Sequence, residues 1–295
     1  MGWAKRLRVR AGVCAVALLA TACSFSNPVV GPATPGAPTL GSRATKPVPG
    51  GSTPAGPGSI GHGTPGQTNL GTVPSGSAYA DDAGVGAMAR TYLRRSPATS
   101  MIVEIDWVKG RSPSQTSLDH LAAVLRRELD KPGGVTVERG NEISAGKSQW
   151  SLADLAALER ANRSRHSGSG RATMWMGFVD GTFAPNENAL AVAFRASATA
   201  IFRDRIDAAT SSLVLEPEIE RSVVVHEAGH LLALVNIGYR STYAHEDPQH
   251  PNHSNNPESV MYWAVEDISV RNLLRGGPPD DFDQADRADL AMLRR

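Results

Sequence analysis

His226-Glu227-Ala228-Gly229-His230 places two histidines four residues apart within an apolar stretch. On a helix, residues at this spacing project from one face, one turn apart. Both imidazoles can then reach a single metal ion. Glu227 sits beside it, where a carboxylate can take a proton from water. The flanking residues predict that helix. Glu216-Pro217-Glu218-Ile219-Glu220 reads as its start, with proline in the first turn and acids near the positive end of the dipole. Val223, Val224 and Val225 lead into the pair, Leu231, Leu232, Leu234 and Val235 continue the apolar run, and Gly238 is the expected stop. A competing reading makes the two residues ordinary core histidines bonded to backbone. Buried imidazoles need partners in either case, and a metal supplies one.

Catalytic zinc takes three protein ligands and keeps one position for water. Downstream, the segment 244–253 offers His245, His250 and His253. From His253 to Tyr262 the chain reads H-S-N-N-P-E-S-V-M-Y. This stretch resembles the matrixin sequence in which the third zinc histidine leads through S-N-D-P into the Met-turn. It is also similar to the archaemetzincin pattern of histidine, cysteine, four residues, cysteine, one residue, methionine, with Ser254 and Ser259 at the cysteine places. Together with H-E-x-x-H, the resemblance implies a metzincin-type zinc metallopeptidase. It implies His226, His230 and His253 as Zn2+ ligands, Glu227 as general base, and Met261 as the Met-turn methionine flooring the site. Tyr262 would assist the oxyanion or, with Trp263, wall a pocket.

Two positions depart from the family, which continues the helix motif with x-x-Gly-x-x-His. Here those places hold Ala233 and Asn236. Without the glycine, the helix is expected to run on to about Gly238, and a loop of about fifteen residues to bring His253 back, at little extra entropy. His245 is the rival third ligand. His250, between Gln249 and Pro251, is less favoured. Asp247 is an oxygen ligand or orients a histidine. A gluzincin arrangement would use Glu258 or Glu266 from a second helix, against which Pro257 and the short apolar run argue.

Residues 1–22 read as an export signal. Lys5, Arg6, Arg8 and Arg10 precede an apolar stretch from Ala11 to Ala20, too short to span a bilayer. Thr21-Ala22-Cys23 resembles a bacterial lipoprotein site, which implies fatty acylation of Cys23 and a chain anchored to the membrane outside the cytoplasm. An ordinary cleaved secretory signal is the alternative. Four basic residues leave with the signal, so the formal net charge of +1 becomes −3. Cys14 leaves too, so the exported chain has no internal disulfide. Residues 23–78, rich in Gly, Pro, Ser and Thr, bury too little apolar surface to fold and read as a tether.

Residues 79–295 suffice for one domain with its own core. Helices are expected at 82–95 (capped by Asp82), 117–129, 151–162 (capped by Ser151 with Asp154), 216–238 and 281–293. Strands are expected at 101–108, 135–137, 173–179 and 189–202. Interleaved strands and helices before a late metal helix give an α+β (α/β-like) class. The resemblance implies a twisted mixed sheet, zinc helix, Met-turn and C-terminal helix. The expected reaction is hydrolysis of a peptide or protein substrate, laid along the 189–202 segment as an edge strand. A zinc-binding envelope lipoprotein without turnover is the rival, and a structural lipoprotein whose metal only stabilises the fold is the third reading. The expected state is a monomer. No basic stripe or stacking motif points to nucleic acid, and His120 and His166 read as structural or exposed.

Overall fold

The computed structural model describes residues 79–144, 146–210, 215–265 and 277–295. The expected signal (1–22), Cys23, the tether (23–78) and Glu266 lie outside the described residues.

The first helix, α1 (Ala89–Leu93), is shorter than expected. Asp82 does not cap it; its carboxylate pairs with Arg195. Gly86 has φ +81°, and a Cβ there would lie 2.7 Å from Ile237 Cγ2. The left-handed glycine and this close packing make turns of the segment before Ala89. Strand β1 (Ser100–Val108) follows. Helix α2 (Gln115–Glu128) starts where the Ser114 hydroxyl accepts from the Ser117 N–H.

Strand β2 (Val135–Ile143) runs well beyond the expected 135–137. Its later residues, Glu138 to Glu142, are polar because β2 is an edge of the sheet, where side chains need not be apolar. The short strand β3 (Gln149–Trp150) leads into α3 (Leu152–Asn162), which opens on the anticipated Ser151–Asp154 capping box. Then come β4 (Arg171–Val179) and β5 (Thr182–Phe183), the latter paired with β3. The single strand expected over 189–202 is a hairpin, β6 (Ala191–Arg195) and β7 (Ala198–Phe202). Ala196 and Ser197 make its turn, secured by Ala196 N–H to Ala83 O (2.7 Å) and Arg163 to Ser197 Oγ (2.7 Å).

Helix α4 (Arg203–Ala209) precedes α5 (Glu216–Leu231). Strands β8 (Glu246–Asp247) and β9 (His250–Ser254) form a second hairpin. A 3-10 turn (Trp263–Val265) follows, and α6 (Gln284–Arg294), capped by Asp283, is the expected closing helix.

The main sheet has the order β2-β1-β4-β7-β6. Its first four strands are parallel and β6 is an antiparallel edge. The α+β expectation thus takes the form of a mixed sheet. One buried cluster joins Val103 and Ile105 of β1 and Met174 and Met176 of β4 to Leu121 and Leu125 of α2 and Val224 and Val225 of α5. Each such side chain contributes about 1.5–3 kcal/mol. A second cluster joins Val179 and Phe202 to Trp150 and Leu155. Helix α5 touches α2, α4, β6, β7 and the 3-10 turn, so it is apolar on nearly every side. Among the described residues, no helix is long and apolar enough to cross a membrane.

Candidate metal centre

Helix α5 presents His226 and His230 one turn apart, and both are buried. The β8–β9 hairpin brings His253 to them. The three imidazole centroids lie 4.6, 5.0 and 5.3 Å from one another. One donor atom from each falls within 4.8 Å of the others. His226 Nδ1 lies 2.6 Å from Val260 O, and His253 Nδ1 lies 3.1 Å from Pro251 O. A carbonyl only accepts, so each of these two Nδ1 atoms carries the hydrogen and each Nε2 keeps its lone pair. His226 Nε2 and His230 Nε2 are 3.0 Å apart. Two nitrogens bound to one tetrahedral zinc at about 2.0–2.1 Å would be roughly 3.3 Å apart. Three clustered imidazoles, two of them oriented by backbone carbonyls, are a suitable donor set for Zn2+.

Glu227 lies between the two helix histidines in sequence and is fully buried. Met261 is fully buried beneath α5. A Cβ on Gly229 would lie 2.3 Å from Met261 Sδ and 3.1 Å from Phe282 Cε1. Gly229 is therefore the residue that lets the turn come up against the helix, a role its place in the motif did not reveal.

Helix α5 does not continue to Gly238. It ends at Leu231 in a Schellman arrangement, with Leu234 N–H on Gly229 O and Ala233 N–H on His230 O, both 3.0 Å. Ala233 takes φ +64° at the place where glycine is usual, and Val235 and Asn236 also have positive φ. An alanine in this region costs about 1–2 kcal/mol, and the buried packing of Leu232, Ala233 and Leu234 opposes that cost. Asn236 does not join the histidine cluster; its amide donates to Glu246 Oε2 at 2.6 Å.

His245 lies apart from the three clustered imidazoles. Its Nε2 is 2.8 Å from Asp289 Oδ2, and its Nδ1 is 3.7 Å from Asp286 Oδ1. The Tyr239 and Ser241 hydroxyls also donate to Asp289. His250 pairs with Asp247 at 3.2 Å and stacks on Trp263, with centroids 4.1 Å apart. Tyr262 lies against Trp263, Glu258 is exposed, and neither Glu258 nor Asp247 belongs to the histidine cluster. His120 bonds Asp280 O, and His166 is exposed.

The residues around Met261 are held by polar contacts that the sequence did not announce. The Ser259 hydroxyl donates to Asp286 Oδ2 at 2.6 Å and accepts from Met261 N–H at 2.9 Å. Ser254 N–H donates to Met261 O at 2.7 Å, and the Ser254 hydroxyl accepts from Asn256 N–H. The Asn256 side chain reaches Asp283. Donor atoms of His245, Asp283 and Asp286 also fall within 4.8 Å of one another. Asp283 and Asp286 are engaged there in a capping box and in bonds from Asn256 and Ser259, so this group fastens the turn to α6. Burial pushes the Asp286 carboxyl up to about 6. Burial alone would lower the pKa of His245, but its hydrogen bond to Asp289 and the nearby acids leave it raised. The one sequence hint of this arrangement was Asp283-x-x-Asp286 at a helix start, which reads equally as an ordinary cap.

No protein-family model matches the chain, and no curated protein matches it. Solved structures similar to it include two metalloprotein chains. Archaemetzincin from Methanopyrus kandleri aligns at 15% identity and a TM-score of 0.44, over 67% of this chain and 97% of its own. Metalloproteinase-II from Bacteroides fragilis aligns at 12% identity and a TM-score of 0.38, over 75% of this chain and 59% of its own.

Proposed function

We propose that this chain is a zinc-dependent endopeptidase of metzincin type. His226, His230 and His253 hold the metal and Glu227 is its general base. The observation that carries the reading is the convergence of three buried imidazoles, two of which direct their Nδ1 hydrogens to backbone carbonyls. Zinc, when bound there, would acidify a water and polarise the scissile carbonyl. Glu227 takes the proton of the attacking water and delivers it to the leaving amine nitrogen, so the peptide bond breaks and water's atoms are shared between the products. Its burial strengthens this role, because a carboxylate shielded from bulk water acts on the reacting groups with little screening. Val260 O and Pro251 O keep two imidazoles in the tautomer whose Nε2 lone pair can serve a metal. An extended peptide would add to β6, the antiparallel edge of the sheet.

Glu227→Gln tests the chemistry. The amide cannot accept the proton, so peptide cleavage falls by about 10²–10⁴-fold while zinc content is unchanged. Cleavage at the wild-type rate would remove Glu227 from the mechanism. If neither protein cleaves a peptide library although both bind zinc, the chain is a zinc-binding protein without turnover.

We further propose export and lipid anchoring through Cys23, with residues 24–78 as the tether, on the strength of the basic start, the short apolar stretch and the residues before Cys23. A fatty-acid analogue should label wild type and leave Cys23→Ala unlabelled; equal labelling of both refutes the anchor.

A further inference from the structure

Two asparagines with left-handed backbone share one carboxylate. Asn236 (φ 68°) lies in the segment that leaves α5, and Asn252 (φ 67°) immediately precedes His253. Glu246 Oε2 accepts from Asn236 Nδ2 at 2.6 Å, and Glu246 Oε1 accepts from Asn252 N–H at 2.9 Å. Asn236 Oδ1 in turn accepts from Ser241 N–H at 2.6 Å. Glu246 thus ties the exit of the helix that carries two histidines to the residue before the third.

The hairpin needs such a tie. Its ladder pairs only Glu246 with Ser254 and Asp247 with His250, with an irregularity between them. So short a ladder is marginal by itself and sets register weakly. The left-handed turn at Asn252 decides which way His253 projects, and asparagine tolerates that conformation better than most residues. A carboxylate accepting the Asn252 N–H holds the turn in place.

We propose that Glu246 is the positioning residue for His253: with Asn236 it sets the hairpin so that the third imidazole meets the helix pair. This rests on the reading of His253 as a metal ligand. The hydrogen-bond polarity makes it testable. Glu246→Gln puts an amide N–H₂ where only an acceptor serves, and Asn236→Asp sets two carboxylates against each other. In the double variant the new amide at position 246 donates to the new carboxylate at position 236. That carboxylate still accepts from Ser241 N–H, and the amide oxygen at position 246 still accepts from Asn252 N–H. Every bond then returns with one donor reversed.

Zinc affinity is measured by chelator competition, with the visible spectrum of the Co2+-loaded protein as a second readout and thermal unfolding as a check of fold. Each single variant should bind zinc about 10–100-fold more weakly, the usual cost of losing a group that orients a ligand. The double variant should recover wild-type affinity and spectrum. Wild-type affinity in Glu246→Gln overturns the inference. So does a double variant that recovers thermal stability but not zinc affinity, since Glu246 would then only support the loop. Should the single variants fail to fold, the folded double variant alone decides, by binding zinc as wild type does or not. His253→Ala run alongside separates the two readings: if it binds zinc normally, the ligand assignment fails, whatever Glu246 does.

Discussion

The two sides of the histidine cluster are built differently. His226 and His230 ride on one continuous buried helix, where a four-residue spacing alone brings them together. His253 arrives on a hairpin with two paired positions, positioned by a glutamate, two left-handed asparagines and a turn fastened to α6. The spacing of the first side is local geometry. The second depends on contacts among segments distant in sequence, and it should yield first when the fold is perturbed.

The fastening beneath the hairpin offers the larger way to sharpen this contrast. Asp286 is buried and its pKa stands at about 6, above the ordinary value of 3.8. A folded acid with a raised pKa holds its proton after the unfolded chain has released its own. Its contribution to stability is therefore full below the unfolded pKa and is lost as pH rises through about 6. His245, also raised, loses its contribution as pH rises further. In Asp286→Asn the first window disappears. The stability of wild type minus that of the variant should fall between about pH 4 and pH 6, by up to about 3 kcal/mol in urea unfolding. A difference that stays flat over this range contradicts a buried, raised carboxyl at the turn.

The smaller effect probes the helix side. Gly229→Ala adds a methyl where Met261 Sδ would be 2.3 Å away. Overpacking of this kind costs about 1–3 kcal/mol, against roughly 1 kcal/mol gained in helix propensity, so a net loss of about 1 kcal/mol is expected. The loss should shrink in a Met261→Ala background, where the methyl has room. A stabilising Gly229→Ala would mean that the turn does not press on the helix.

The same contrast explains what could be read in the sequence. The helix pair, the Ser151 cap with Asp154, and β1 were legible because each depends on spacing within a few residues. The end of α5 was not: Ala233 has no local reason to take φ +64°, and only burial around it imposes the turn. The 189–202 segment looked like one strand because Ala196 and Ser197 carry no turn signature; their bonds to Ala83 and Arg163 make the bend. Strand β2 was underestimated because its outer half, an edge, is polar. The preference for His253 over His245 rests on the resemblance of the His253–Tyr262 stretch. That His245 is instead held by Asp289 depends on a contact 44 residues along the chain, which no local pattern shows.

Zinc titration of wild type, His226→Ala, His253→Ala and His245→Ala tests the central claim, that the helix pair and the hairpin histidine form one metal site. The account predicts that His226→Ala and His253→Ala each lose most of the affinity, more than the roughly 10–100-fold typical of an orienting group. His245→Ala should stay near wild type, since its imidazole is engaged by Asp289 on the closing helix. Near-normal zinc binding by His253→Ala, with loss in His245→Ala, would contradict it.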